Sequence, residues 1–359
     1  MSRAADSSAA MGAGLLDLQV NGFGGVDFNA GATLTPAAID GALEALLATG
    51  VTAFLPTVIT APAAVLAARL AALDAAIAAS RLGPLMVPGY HLEGPFVNPG
   101  EGYHGCHPAE AAIAPDAGLI AALEAPLARP ILVVTLAPEL PGGGEAIRAL
   151  RARGKLVAVG HSAAGFAEVA AAADAGATLS THLGNGVPQE LAKLANTIFA
   201  QLGEDRLSAG FIADGIHLPP PALKVLLRAK GPGRAFLVTD ATSAAARPAG
   251  RYPFAGMTIE RGADGVVREP GGRYLAGSAL CLDAAVRNLV AWGFASPEEA
   301  LALASTRPHA LLDPVLAAHG ITLPESAVMW SPKLHPLEIR LGAETRRLAD
   351  PSSPNPSSP

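Results

Sequence analysis

The residues in this chain best suited to chemistry are Glu93, His161, His182 and Asp240, each standing where a short apolar run ends. One carboxylate and two imidazoles arriving from three strands, Glu93, His161 and His182, make a sufficient grip for a catalytic divalent ion with a position left open to water. Such an ion lowers the pKa of bound water toward ~7 and polarises a carbonyl oxygen. Asp240 adds a carboxylate able to take a proton from the attacking water and return it to a leaving amine. Gln19 and Asn21 close the first run, Asp214 and His217 follow the seventh, and His104 and His107 lie in the loop after Glu93. A lone histidine at a strand end is as readily a satisfied core residue as a ligand. The coincidence across successive runs favours a site.

These residues meet only if their runs are parallel strands of one closed sheet. Short apolar or β-branched runs occupy 15–20, 51–56, 85–91, 131–136, 155–160, 178–182, 207–213 and 235–239. Alanine-rich helical stretches intervene, among them 36–48, 62–79, 144–153, 165–175 and 219–229, several opened by Pro or preceded by Thr, Asp or Ser. That alternation predicts an α/β protein, a (β/α)8 TIM-type barrel of the metal-dependent kind, with catalytic groups at the C-terminal ends of its strands. The expected organisation is a flexible N-terminus over 1–14, the barrel over 15–312 with a hairpin insertion at about 251–275, a C-terminal segment over 313–349 with short strands, and a disordered tail over 350–359. The strands after the barrel need a partner outside it, hence a small, poorly populated β appendage.

The chain has 359 residues, half of them hydrophobic and only 16% charged, with a net charge of −6. No basic block appears, which argues against nucleic acid and anionic membrane as partners. The segment 61–80 is apolar, but Arg69 and Asp74 interrupt it, so an amphipathic helix is expected rather than a membrane span. Cys106 and Cys281 stand apart and outside any CxxC pattern, consistent with free thiols in a reducing compartment. The first residues lack the pattern of a signal peptide, and a cytoplasmic location is expected. His309, His319 and His335 read as surface or core polar residues, and Trp292 and Trp330 as packing.

The ordered series Asp17-Leu18-Gln19-Val20-Asn21-Gly22, His91-Leu92-Glu93-Gly94-Pro95-Phe96, Gly160-His161-Ser162, Thr181-His182-Leu183, Ala213-Asp214-Gly215-Ile216-His217, Val238-Thr239-Asp240-Ala241-Thr242 and Leu275-Ala276-Gly277-Ser278 strongly resembles the N-acetylglucosamine-6-phosphate deacetylases of the amidohydrolase superfamily. The resemblance implies hydrolysis of the acetamide of an N-acetylated amino sugar, with N-acetylglucosamine-6-phosphate giving glucosamine-6-phosphate and acetate. It implies one divalent metal per chain, zinc for preference, on Glu93, His161 and His182, with Asp240 as general base and acid. His104 would help polarise the acetamide carbonyl. Spacing from Glu93 favours it over His107, which is read as a loop residue. Asn185, Gly186, Lys193, Asp214, His217, Leu275, Ala276 and Gly277 would contact the sugar, and the assembly implied is a homodimer. Gln19 and Asn21 stand where other superfamily members carry the HxH of a second metal. Amides are poor ligands for a transition ion beside imidazole, which favours a mononuclear site.

The chain departs from this pattern in three places. After Thr181-His182-Leu183 comes Gly184-Asn185-Gly186-Val187-Pro188, and Lys193 stands where the family places an arginine for the sugar phosphate. Lysine offers a point charge without the bidentate fork, so relaxed selectivity for the 6-phosphate is expected. Only fourteen residues, Met1 to Gly14, precede the first strand, where the family carries a longer β segment, so the resemblance implies a truncated β appendage. The loop after Glu93 holds two histidines rather than one. A different N-acyl or cyclic amide substrate, or a sugar-binding barrel without chemistry, are the competing readings. The run 131–136 is followed by Ala137-Pro138-Glu139, which supplies no lysine for a carboxylated, two-metal centre.

Overall fold

Each apolar run becomes a strand buried on both faces, as a parallel sheet wrapped in helices requires. The strands are β1 (Leu15–Val20), β2 (Val51–Ile59), β3 (Tyr90–Glu93), β4 (Ile131–Leu136), β5 (Leu156–Val159), β6 (Leu179–Ser180), β7 (Ser208–Phe211) and β8 (Ala235–Leu237). In this computed structural model, which describes residues 10–350 apart from Pro232 and Arg273, they form one eight-stranded parallel sheet in sequential order. The barrel of the amidohydrolase type expected from the sequence is therefore present.

The seam between β1 and β8 closes through individual bonds just beyond β8. Asp240 N–H donates to the Gln19 carbonyl (3.0 Å) and Asn21 N–H to the Ala241 carbonyl (2.7 Å). The Thr239 hydroxyl donates to the buried Asp17 carboxylate at 2.6 Å. The seam thus sets the position of Asp240 relative to Gln19 and Asn21.

Helix starts follow local chemistry. Thr35 caps Pro36–Leu47, Asn196 caps Thr197–Gly203, and Ser296 with Glu299 forms a capping box on Pro297–Ala304. Three features depart from the sequence expectation. The run at 85–91 becomes a strand only at Tyr90, because Gly83–Met86 closes a short helical turn first. Helices Ala117–Glu124 and Thr306–Ala318 were not anticipated. The second carries Pro308 in its first turn and Pro314 in its interior, residues that ordinarily argue against a continuous helix.

Beyond the barrel, Gly250–Phe254, Met257–Arg261 and Val267–Arg268 form a three-stranded antiparallel meander in place of a simple hairpin. A separate four-stranded antiparallel sheet joins Ala10–Gly12, Ser326–Trp330, Pro336–Leu341 and Glu344–Arg347. Residues 10–12 are thus ordered by strand pairing, which corrects the expectation of a flexible segment to residue 14; residues 1–9, and the expected disordered tail beyond residue 350, lie outside the described residues. This sheet is fixed to the barrel by Trp330, fully buried against Gly50 at φ 86°, where a Cβ would come within 2.6 Å of the indole. Among the described residues no helix is long and apolar enough to cross a membrane.

Candidate active site

Glu93 is the last residue of β3, and its carboxylate is almost completely buried. His161, His182 and Asp240 follow β5, β6 and β8, and all three adopt left-handed backbone, with φ of 49°, 27° and 50°. For residues bearing a Cβ this costs about 1–3 kcal/mol each. The surrounding barrel holds these strained turns, and they direct the three side chains to one point.

There, Glu93 Oε1 lies 3.0 Å from His182 Nε2 and 3.3 Å from His161 Nε2. The two imidazoles stand edge to face with centroids 4.9 Å apart. Nδ1–H of His161 donates to the Tyr103 carbonyl at 2.7 Å, so its Nε2 turns a lone pair toward the carboxylate. Two lone pairs at that separation repel unless a cation lies between them. The three donor atoms lie within 4.8 Å of one another, a spacing that ligand bonds of about 2.0–2.2 Å can bridge to one ion. The residues therefore fit a divalent metal. Burial alone would raise the Glu93 carboxyl, but the imidazoles hold it well below the usual range, and Glu93 in turn raises His182 against its own burial.

Gln19 and Asn21 act as donors to carboxylates. Gln19 Nε2 reaches both Glu93 Oε1 (3.0 Å) and Asp240 Oδ1 (3.1 Å), and Asn21 Nδ2 donates to the same Asp240 oxygen at 2.6 Å. Two carboxylates are thereby held apart and aimed by neutral amides. Burial, with the Glu93 charge beside it, pushes the Asp240 carboxyl up to about 6, against the pull of His182, His217 and the Asn21 amide. A carboxylate of that basicity suits proton transfer near neutrality.

Of the two loop histidines, the structure brings His107 to the cluster and leaves His104 outside, which corrects the sequence expectation. The His107 ring is buried 4.3 Å from that of His161, and its Nδ1 is 2.7 Å from the Thr60 hydroxyl. The same hydroxyl is 3.3 Å from the Glu93 carbonyl, so whether it donates there or to Nδ1 sets which ring nitrogen of His107 carries the proton. Burial lowers its pKa to about 3, so the ring is neutral. His104 instead donates from Nδ1 to the His107 carbonyl (2.9 Å) and stacks edge-on to Tyr274, on the side of a neighbouring cavity. The loop turns at Gly102 and Gly105, both at positive φ, and that turn decides which imidazole faces inward. Position in sequence carried no signal of it.

The site opens into a cavity of about 530 Å³ lined by His107, Asp240, Asn185, Gly186, His217, Leu275 and Gly277 among others. His217 is fixed from behind by Asp214, whose carboxylate accepts from its Nδ1 at 2.6 Å and from its backbone N–H at 2.8 Å. Asp214 itself lies behind the lining, Ala276 faces the neighbouring cavity, and Lys193 is exposed outside the wall. Sequence reasoning missed the apolar part of the wall, Val187, Pro188, Leu191, Ile198, Ile216 and Leu218. These are unremarkable residue types in loops and helix starts, and only the tertiary arrangement gathers them.

No family model matches the chain. It is 37% identical to the N-acetylgalactosamine-6-phosphate deacetylase of Escherichia coli O157:H7, over 83% of this chain and 76% of that protein. It is 36% identical to the N-acetylglucosamine-6-phosphate deacetylase of Homo sapiens, over 83% of this chain and 73% of that protein. Among solved structures, the N-acetyl-D-glucosamine-6-phosphate deacetylase of Mycobacterium smegmatis, a mutant in complex with N-acetyl-D-glucosamine-6-phosphate, superposes with a TM-score of 0.82 at 27% identity, covering 94% of this chain and 87% of that one. With the barrel, the Glu-His-His cluster and these relatives in agreement, the chain belongs to the N-acetylglucosamine-6-phosphate deacetylase family of the amidohydrolase superfamily.

Proposed function

We propose that the chain hydrolyses the acetamide of N-acetylglucosamine-6-phosphate, or of its galacto epimer, to the free amine and acetate. The observation that carries this reading is the convergence of Glu93, His161 and His182 beneath a carboxylate, Asp240, that two amides hold in place. Glu93, His161 and His182 would hold one divalent ion, and a set of one carboxylate and two imidazoles favours zinc. When bound, that ion activates water and polarises the acetamide carbonyl.

The chain's own residues supply the rest. Asp240 accepts the proton of the attacking water and delivers it to the departing nitrogen, so the amine leaves neutral. In the tautomer that carries its proton on Nε2, with the Thr60 hydroxyl turned to Nδ1, His107 donates to the carbonyl oxygen as negative charge develops there. His217, oriented by Asp214, and Asn185 face the sugar. We take the working form to be a homodimer in the cytoplasm: exposed Leu194 and Phe199 offer apolar surface beside Lys193 for a second chain, and the free thiols suit a reducing compartment.

The test is acetate release by the zinc-loaded protein from both epimers. Turnover that tracks metal content and falls by about 10²-fold or more in Asp240→Asn, with metal retained, is the expected result. A fully loaded protein that releases acetate from neither sugar would refute the reading.

A further inference from the structure

Resting on the metal-binding reading above, we propose that His91, Thr135 and Thr181 are positioning residues, which set the metal affinity and geometry of Glu93, His161 and His182 without touching the ion themselves. The interior of such a barrel is ordinarily filled by branched apolar side chains. Just beneath the ligands this one carries a buried polar chain instead. The Nδ1 of His91 on β3 lies 3.1 Å from the Leu18 carbonyl of β1, and its Nε2 lies 2.7 Å from the Thr135 hydroxyl of β4. That hydroxyl is 2.7 Å from the hydroxyl of Thr181, which follows β6. A carbonyl can only accept, so Nδ1 carries the ring proton, and burial, which lowers the pKa of His91 to about 4, keeps the ring neutral. Nε2 therefore accepts from Thr135, and the Thr135 oxygen accepts in turn from Thr181. Every donor of the chain has an acceptor, and a fully satisfied buried chain holds its members in one arrangement.

Each part of this chain adjoins a ligand. His91 and Glu93 are alternate residues of one strand and share its inward face. Thr135 stands beside Glu93 in the β3–β4 register, and its carbonyl accepts from Gly94 N–H at 3.2 Å. Thr181 immediately precedes His182, whose backbone is left-handed at φ 27°. Gly160, immediately before His161, lies between the two threonines, where a Cβ would come within 2.8 Å of both. β4 and β6 are not neighbours, so the two hydroxyls meet across the end of β5 only because Gly160 has no side chain. The backbone beside all three ligands is thus tied to one set of hydrogen bonds.

The experiment compares the full chain with Thr135→Val, Thr181→Val and the serine variant at each position. It reads the zinc Kd by chelator competition, the absorption spectrum of the cobalt-loaded protein and the thermal midpoint of the metal-free protein. Valine keeps the shape of threonine and removes the hydroxyl, whereas serine keeps the hydroxyl. Thr135→Val leaves His91 Nε2 and the Thr181 hydroxyl unpaired and should weaken zinc binding by about 10–100-fold, the usual effect of losing a group that orients metal ligands, with a changed cobalt spectrum. Thr181→Val strands no donor, since Thr135 still donates to His91, so it keeps the test readable where Thr135→Val does not fold; it should lose about tenfold. The serine variants should stay within about threefold of the parent chain. An unchanged zinc Kd and cobalt spectrum in either folded valine variant overturn the proposal, whatever the thermal midpoint does, because the chain would then serve stability alone. Equal losses in the serine and valine variants overturn it too, since the hydroxyl would not be what matters. A parent chain that binds no divalent ion removes the metal-binding reading itself.

Discussion

The cavity has two walls built on different principles. The inner wall consists of strand ends: Glu93, His161, His182 and Asp240 are each buried, three sit on strained left-handed backbone, and Gln19 and Asn21 tie the carboxylates together. The outer wall is loop and helix start, 184–191, 198 and 216–219, mostly apolar and only partly buried. Reaction geometry must be held to a fraction of an ångström, so it is placed on the rigid sheet with its supporting hydrogen bonds. Substrate choice can drift, because each loop contact contributes one to a few kcal/mol without disturbing the chemistry behind it.

Substitutions separate the two walls. The largest effect should come from the inner wall: His161→Ala or His182→Ala should lose metal and activity together, by at least about a thousandfold in kcat, since ligand and charge stabilisation go at once. Metal analysis alongside kinetics checks this; full metal content in His161→Ala would show that another residue completes the site. Next, His107→Ala should reduce kcat by about 10²-fold, the usual loss of one donor to a developing oxyanion, and His104→Ala by several-fold at most. The reverse order would return the role to His104 and mean that the loop rearranges when substrate binds.

A smaller, pH-dependent effect is expected for Asn21→Ala. Removing the donor at 2.6 Å from Asp240 destabilises the ionised carboxylate, so its pKa rises further and the acid limb of the kcat/KM profile moves to higher pH. Activity should fall about tenfold on the acid side and much less at pH 8. An acid limb that stays in place would show that Asp240 is not the group titrating there. The smallest change belongs to the outer wall: Ile198→Ala should raise KM for the sugar by roughly tenfold or less while kcat holds. An equal loss in kcat would mean the outer wall also positions the reacting end.

The two loop histidines show where sequence reasoning stopped. Both imidazoles follow Glu93 within one glycine-rich loop, and spacing along the chain favoured His104, whereas Gly102 and Gly105 turn the chain and carry His107 inward against His161. The strands were read well because burial on both faces demands uninterrupted apolar runs. Thr306–Ala318 was missed because Pro308 and Pro314 imitate a helix end. The N-terminal strand Ala10–Gly12 was missed because its partner, Ser326–Trp330, lies at the other end of the chain.

The barrel and the convergence of Glu93, His161, His182 and Asp240 on one face were legible in the sequence, because periodicity sets the strands and a strand's end sets which face its polar residue occupies. Only the packed fold shows which loop imidazole lies against His161, that Gln19 donates to Asp240 and Glu93 and Asn21 to Asp240, and that Lys193 stands outside the cavity. These depend on the curvature of loops and on closure of the β1–β8 seam. Both are long-range consequences of packing, and no local pattern of residue types encodes them.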